Sequence, residues 1–212
     1  MKYPVSLAVV ALLTVGSASA ADTPQARLDK RLRGEYALVS HEQCASSASG
    51  FGAAPNFQAL GPVSTSSAIA SGTQVFSGTG TFTTTALSQA PVPPPTDGSP
   101  VFPINVSEIV CTGTYVVHAD DTVDIESSCS GTQVAGRFAG LLKTTGSPVH
   151  YSGRLLGKTL QLSHINAVVT TTDIKIGPSY QTMSYNLCAG NSISTKVPAR
   201  DQATTEGTEV SE

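Results

Sequence analysis

The sequence predicts an all-β fold: an antiparallel up-and-down β-barrel of about eight to ten strands behind a short N-terminal helix, with a β-sandwich as the alternative. Three observations support it. Short segments of alternating polar and apolar residues, separated by polar turns, fill most of the 212-residue chain. Cys111 and Cys129 lie symmetrically about a turn at 119–121, as in a disulfide-bridged hairpin. Cys44 and Cys188 lie near the first and last strands, so a bond between them would join the ends of a barrel.

The N-terminus has the pattern of a secretory signal peptide. Lys2 supplies a positive charge, residues 5–15 are apolar, and Ala18-Ser19-Ala20 is a small-residue cleavage site before Ala21. The apolar run is shorter than the roughly 20 residues that a membrane-spanning helix needs. No second apolar run reaches that length. The sequence therefore predicts a secreted or periplasmic protein without a transmembrane segment.

The segment that follows the signal peptide is expected to form a short leader helix. Thr23 suits the N-cap, Pro24 suits the first helical position, and Gly34 lies where a glycine would end the helix. The tail of the chain is polar, without an apolar pattern, and is expected to be disordered. The expected order is a signal peptide at 1–20, the helix at 21–33, one barrel domain at 34–197 and a disordered tail at 198–212.

The composition restricts the classes of partner. Charged residues make up 13% of the chain and the formal net charge is −3. A nucleic-acid-binding protein would show clustered lysine and arginine, so we expect no nucleic-acid partner. The composition favours no particular oligomeric state.

Two hairpins have registers that the sequence specifies. Pairing about the turn at 119–121 places Cys111 opposite Cys129 and separates an apolar face from a polar one. Gly157-Lys158 makes a two-residue turn that places Tyr151 opposite His164. A slip of one residue would expose the leucines of this second hairpin, so its register is well determined.

The remaining chain is predicted less sharply. Residues 45–71 and the proline-rich 89–103 lack a strand pattern and are expected to be functional lids or disordered loops. Residues 72–85 bend at Gly78-Thr79-Gly80, so they form either one bulged strand or a hairpin. Further strands are predicted at 36–43, 134–142, 167–176, 180–188 and 192–197.

The four cysteines are an even number, so two disulfides are expected in an oxidising compartment. Three pairings are possible; the hairpin selects Cys111–Cys129 and leaves Cys44–Cys188. The second bond favours a closed barrel, although a Greek-key sandwich would also bring these ends together. Neither a CxxC pair nor a histidine cluster accompanies the cysteines, so we expect no metal and no cofactor.

Four short motifs of the chain are Leu32-Arg33-Gly34-Glu35-Tyr36-Ala37, Gly78-Thr79-Gly80-Thr81, Gly113-Thr114-Tyr115-Val116-Val117 and Gly153-Arg154-Leu155-Leu156-Gly157-Lys158-Thr159-Leu160. With the leader helix, they resemble small secreted bacterial lipocalin-like (calycin-type) barrels, and the allene-oxide-cyclase-like barrels are similar in size and layout. The resemblance implies a barrel over about residues 32–197. It departs from true lipocalins at Tyr36, where their Gly-x-Trp signature has tryptophan, and it assigns no functional residue.

The candidate ligand-binding residues are Tyr151, His164 and Tyr115. His164 shares a hairpin face with Tyr151 and three leucines, so the pair could hold a polar ligand group or transfer a proton inside a barrel. The alternative is an ordinary core hydrogen bond. The acidic residues of the first hairpin are explained by turn preference and solvation, and nothing has the spacing of a serine-hydrolase triad, so no catalytic residue is assigned.

These observations give a functional expectation. We expect a secreted, non-enzymatic barrel with few polar residues inside, binding a small apolar ligand or serving as an exported accessory or surface domain. The alternatives are an isomerase or cyclase acting on a lipid-like substrate, and a purely structural or interaction protein. An interior cavity above about 300 Å³ would favour a ligand; a filled interior would favour the structural alternative.

Overall fold

A computed structural model describes residues 23–54, 56–91, 104–146 and 148–198. The expected signal peptide, most of the proline-rich segment and nearly all of the tail lie outside these residues. The described residues form one short helix and ten strands: α1 (Pro24–Asp29), β1 (Arg33–Ser47), β2 (Ser64–Ser77), β3 (Thr81–Pro91), β4 (Ile104–Val117), β5 (Thr122–Ala135), β6 (Leu142–Gly146), β7 (Val149–Leu156), β8 (Thr159–His164), β9 (Val168–Ile176) and β10 (Ser179–Lys196).

The strands form one antiparallel sheet whose two ends meet. Strands β1 to β5 pair in sequence order, and β10 pairs with β1. Between β5 and β10 the wall has two levels, with β7 and β8 at one level and β6 and β9 at the other. Each level therefore completes a ring of eight strands, which confirms the predicted all-β, antiparallel, up-and-down class.

The two hairpin registers predicted from the sequence are confirmed. In β4 and β5 Cys111 lies opposite Cys129, and in β7 and β8 Tyr151 lies opposite His164. Both predicted disulfides are present, Cys44–Cys188 between β1 and β10 and Cys111–Cys129 between β4 and β5. The bond to Cys188 therefore links the first and last strands, which also pair along their length.

The helix is shorter than predicted. Thr23 caps it as expected, its side chain accepting a hydrogen bond from the Ala26 N–H, but the helix ends at Asp29. Gly34 is not its C-terminal glycine; it takes a φ of 105° at the start of β1. After Asp29 the chain turns, and Leu32 is fully buried in the core.

Residues 72–85 form a hairpin, which is one of the two predicted alternatives, whereas two other predictions are wrong. Residues 45–71, expected to be a loop, contain the end of β1 and the first half of β2. The predicted strand at 134–142 is mostly a turn, because the chain leaves β5 at Ala135 and reverses through Gly136 and Gly140, both at positive φ.

The hydrophobic core fills one end of the ring, which we call the closed end. It is the end with α1 and the turns at 78–80, 118–121 and 157–158. Four aromatic side chains pack in contact there, with Phe76 at ring-centroid distances of 5.2 to 5.5 Å from the other three. The core cluster is Leu32, Tyr36, Phe76, Phe82, Tyr115, Val117, Val123, Ile125, Leu155, Leu160 and Leu162.

The opposite end, which we call the open end, carries the long β1–β2 connection. This connection folds back on itself through a bridge between Phe51 and Ala59. Its Gly50 lies against Tyr185 of β10, where an added Cβ would be 3.4 Å from the ring. The segment is therefore anchored to the strand ring, and Tyr185 packs against it. None of the described helical residues forms a span of the length and hydropathy that crossing a membrane requires.

Candidate functional site

A cavity of about 350 Å³ occupies the open half of the strand ring. This volume lies within the range of about 300 to 1,000 Å³ that is typical of small-molecule sites. Leu38, Phe82, Ile125 and Leu162 line its lower part, next to the core. The cavity therefore has an apolar floor.

The walls of the cavity are made by small and polar side chains. Alternate residues of each strand point inward, and above the core these positions in the first three strands carry serine, alanine and threonine instead of aromatic or branched residues. The interior is consequently more polar than the sequence suggested. These small side chains do not fill the ring, so a cavity remains between the strands. The residues concerned are Ser40, Ser66, Ala68, Ala70, Thr84, Ala86, Ser88 and Ala90.

A row of neighbouring positions leads across the wall from Ile125, at the edge of the floor, to Glu42. Glu42 of β1 pairs with Gly190 of β10, and Tyr151 of β7 lies between His164 of β8 and Ile125 of β5. The register between β10 and β8 places His164 beside Gly190. The sheet register therefore brings two of the predicted ligand residues, Tyr151 and His164, together with a carboxylate that the sequence analysis did not select.

His164 is buried and incompletely paired. Its side chain is 8% exposed, and its Nε2 lies 3.9 Å from Oε1 of Glu42. The Nδ1 atom is buried and has no hydrogen-bond partner among the described residues. Buried polar atoms are rarely left without a partner, and the exceptions often lie at strained or functional sites. His164 is therefore the strongest candidate for a ligand contact in this cavity.

Tyr151 packs its ring edge-to-face on His164, with ring centroids 4.5 Å apart and planes at 79°. Burial raises the pKa of its phenol well above the ordinary value, and the nearby Glu42 charge raises it further. The hydroxyl thus stays protonated and can donate. It has no hydrogen-bond partner within the part of the chain that the structure describes.

Gly190 lets Glu42 and His164 face each other across the strand between them. A Cβ at this position would lie 2.8 Å from Cγ of Glu42 and 2.5 Å from the carbonyl oxygen of His41. A side chain there would therefore displace β1 or separate the carboxylate from the imidazole. Glycine is required here because β1 approaches closely, and not because of its backbone conformation, since its φ is not positive.

Several other polar side chains near the cavity have hydrogen-bond partners, in contrast to Nδ1 of His164. At the floor, the Ser194 hydroxyl donates to Oε1 of Gln74. At the rim, the Ser46 hydroxyl donates to Asn186 Oδ1 over 2.7 Å, and Asn186 donates onward to Thr172 over 2.9 Å. Besides His164, the only cavity-lining residue with a buried unpaired side-chain atom in the described ranges is Thr84, through its Oγ1.

Tyr115, the third predicted ligand residue, lies in the core and not at the cavity wall. Its hydroxyl donates to the carbonyl oxygens of Leu32 and Asp29 over 2.8 and 3.1 Å, and accepts from the Gly78 N–H over 2.9 Å. These bonds fasten α1 and the β2–β3 turn to the closed end. Because they use the hydroxyl fully, the function proposed below rests on Tyr151 and His164.

Both disulfides line the cavity. Glu42, Cys44 and Cys188 are the one group of possible metal-ligand atoms within 4.8 Å of each other in the described residues. The two sulfurs are joined to each other, so neither can supply the thiolate that a metal would need. This cluster therefore does not define a metal centre.

The acidic residues of the first hairpin lie on the outer surface. Asp124 pairs with His118, Nε2 to Oδ2 2.9 Å, with both side chains about half exposed. Asp120 accepts from the backbone and hydroxyl of Thr122 within its own turn. These contacts agree with the turn and solvation explanation given by the sequence.

Glu42 is the functional candidate that the sequence analysis missed. A signal for it existed in β1, because Tyr36 and Leu38 are inward-facing apolar residues and alternation places Glu42 on the same face. Its partner His164 lies on another hairpin far along the chain. Their meeting depends on how β10 inserts between β1 and β8, which no local pattern encodes.

Comparison with known proteins adds no assignment. No protein-family model matches the sequence, and no curated protein is significantly similar to it. The fold and site define the class: an all-β protein whose antiparallel strands close into a ring around a partly polar cavity, stapled by two disulfides.

Proposed function

We propose that this protein is a secreted or periplasmic, lipocalin-like binding protein that holds a small, mainly apolar ligand in its open half. The observation that carries the proposal is the 350 Å³ cavity, whose wall includes the mostly buried His164 with its unpaired Nδ1. Burial of the ligand's apolar part against the floor would supply most of the affinity. Tyr151 and His164 would orient its polar end.

The two disulfides support the expected compartment. Disulfides persist in secreted and periplasmic proteins and are rare in reducing compartments. All four cysteines are bonded, so the described chain leaves no free thiol. This agrees with export, which the signal-like N-terminus of the sequence also predicts.

A second candidate is an isomerase or cyclase that acts on a lipid-like substrate in the same cavity. The observation that favours it is the contact between three titratable side chains: Glu42, His164 and Tyr151. Such a group can take and return a proton when a substrate is positioned within hydrogen-bond reach. Turnover of a bound ligand would distinguish this candidate from simple binding. A purely structural role is favoured less, because it gives the open cavity no use.

The first test is to ask whether the cavity holds a molecule. The natively exported protein is analysed by mass spectrometry under non-denaturing conditions, and bound small molecules are identified after extraction. Ala70→Phe places a ring inside the cavity and should abolish the bound mass. Ser71→Phe adds the same ring on the outer face of the same strand, as the matched control, and should retain it. Equal ligand content in both variants would contradict the proposal.

The second test separates a ligand role for His164 from a packing role. If the imidazole serves packing alone, His164→Ala should lower the free energy of unfolding by about 1–3 kcal/mol and leave ligand affinity unchanged. If it contacts the ligand, affinity for the extracted ligand should fall at least about tenfold while Tm scarcely moves. We expect the second result, measured by calorimetric titration and thermal unfolding. In the enzyme alternative, turnover is lost as well.

A further inference from the structure

We infer that the cavity selects its ligand by a polar end that donates hydrogen bonds, ranking a protonated primary amine above an alcohol and an alcohol above a carboxylate. The inference rests on the proposed binding function and adds the chemical class of the ligand. It comes from the charge and hydrogen-bonding capacity of the wall around Glu42 and His164.

Charge is the first step. Glu42 is the only acidic or basic side chain, histidine aside, among the described residues that line the cavity; the other polar linings are hydroxyls and amides. The Glu42 side chain is 40% exposed, so its attraction or repulsion of a charged ligand is partly screened by water but is stronger than in bulk solvent. A ligand carboxylate is repelled by Glu42, whereas an ammonium group is attracted.

The imidazole is the second step. Nε2 of His164 lies 3.9 Å from Oε1 of Glu42, and the carboxylate favours the tautomer with a proton on Nε2. In that tautomer Nδ1, which is buried and has no partner among the described residues, carries a lone pair. A hydrogen-bond donor that reaches this atom satisfies it. Amines and alcohols supply one, and an ionised carboxylate does not.

Tyr151 is the third step. Its ring lies against His164 and within electrostatic reach of Glu42. An aromatic ring beside a carboxylate favours a cation, because the face of the ring is electron-rich. The apolar floor beside Tyr151 and His164, made by Ile125 and Leu162 among others, suits the hydrocarbon part of such a cationic ligand. The site therefore fits an amphiphilic amine with its tail toward the core.

The test uses three probes with one chain length and different polar ends: n-octylamine, n-octanol and n-octanoate, titrated calorimetrically into the oxidised protein at neutral pH. We expect the amine to bind at least about tenfold more tightly than the carboxylate, the effect of one charge-assisted contact. Glu42→Gln should bring the amine and the carboxylate to within about threefold of each other. Glu108→Gln makes the same charge change on the outer face of β4 and should keep the full preference.

The outcomes separate the inference from the function beneath it. Octanoate binding as tightly as octylamine overturns the inference and leaves ligand binding intact. Failure of all three probes to bind overturns the binding function and the inference with it. If the preference for the amine over the carboxylate persists in Glu42→Gln, or disappears in Glu108→Gln, it does not arise from Glu42 in the cavity. Either result also overturns the inference. The ranking in the unmodified protein needs no variant, so misfolding of Glu42→Gln leaves the test decisive.

Discussion

The two ends of the strand ring follow the same alternation of inward and outward residues, yet one is packed and the other holds a cavity. At the closed end the inward positions carry large side chains such as Phe76, and α1 covers the opening. At the open end the same strands turn serine, threonine and alanine inward. Backbone geometry makes the ring, and the volume of the inward side chains decides which end is packed and which end encloses a cavity.

The largest expected change in the free energy of unfolding comes from removing the disulfides that cross-link strands of the open half. Cys44–Cys188 spans a sequence separation of 144 residues and Cys111–Cys129 one of 18. On the chain-entropy model, replacing the first pair with alanine should cost about 5 kcal/mol of unfolding free energy, and replacing the second about 3 kcal/mol. Denaturant unfolding of the two double variants measures both values. Equal losses would show that loop length does not set the stabilisation.

Truncating the core should be the next largest effect and should be specific to the closed end. Phe76 is 1% exposed and contacts three other aromatic rings, so Phe76→Ala should lower the free energy of unfolding by about 3–5 kcal/mol. Ser40→Ala, at an inward position of the open end, should change it by no more than about 0.5 kcal/mol. If the open-end variant were as damaging, the contrast between the ends would fail.

Two tyrosines provide a finer comparison. Tyr115→Phe should cost about 1–3 kcal/mol, because it removes a hydroxyl bonded to three backbone groups and leaves the Gly78 N–H unpaired. Tyr151→Phe removes a hydroxyl without a partner among the described residues and should change stability by less than about 0.5 kcal/mol. Thermal unfolding of the matched substitutions checks this. A larger loss at Tyr151 would indicate a bond that the structure does not contain.

The smallest effect appears only in alkaline solution. Burial raises the pKa of Tyr36, Tyr115 and Tyr151, so the folded state favours their neutral phenols. The stability that this supplies is complete below the ordinary pKa of about 10 and is lost as the pH rises toward the raised values in the folded protein. Stability should therefore fall above about pH 10, and less steeply in Tyr151→Phe. Tyrosinate absorbance during alkaline titration follows the ionisation directly.

The sequence predicted those parts of the fold that local patterns determine. The register of the second hairpin follows from its turn and its leucines, and Cys111 opposite Cys129 follows from symmetry about the first. The start of β2 was missed because its inward residues, Ser66 among them, are small and polar, so the alternation of hydrophobicity disappears. The turn after β5 was missed because the spacing of Gly136 and Gly140 also fits one face of a strand. Their positive φ values, which make the turn, cannot be read from the sequence.

The candidate site could be predicted only by half. Tyr151 and His164 face each other across one tight hairpin, so sequence alone could pair them. Glu42 lies near them only because β10, the last strand of the chain, is placed between β1 and β8. Gly190 of β10 separates the two side chains. The polarity of the cavity was underestimated for a related reason, since which inward positions lie above the core depends on the stagger of all eight strands in the ring.

The placement of the disulfides on the cavity wall has a chemical consequence. A small thiol must attack a sulfur atom from within the cavity, because both bridges face inward. On the proposed function, a bound ligand would shield the sulfurs, so a small thiol should reduce the ligand-bound protein more slowly than the empty protein. Resistance to reduction would then depend on whether the ligand is bound.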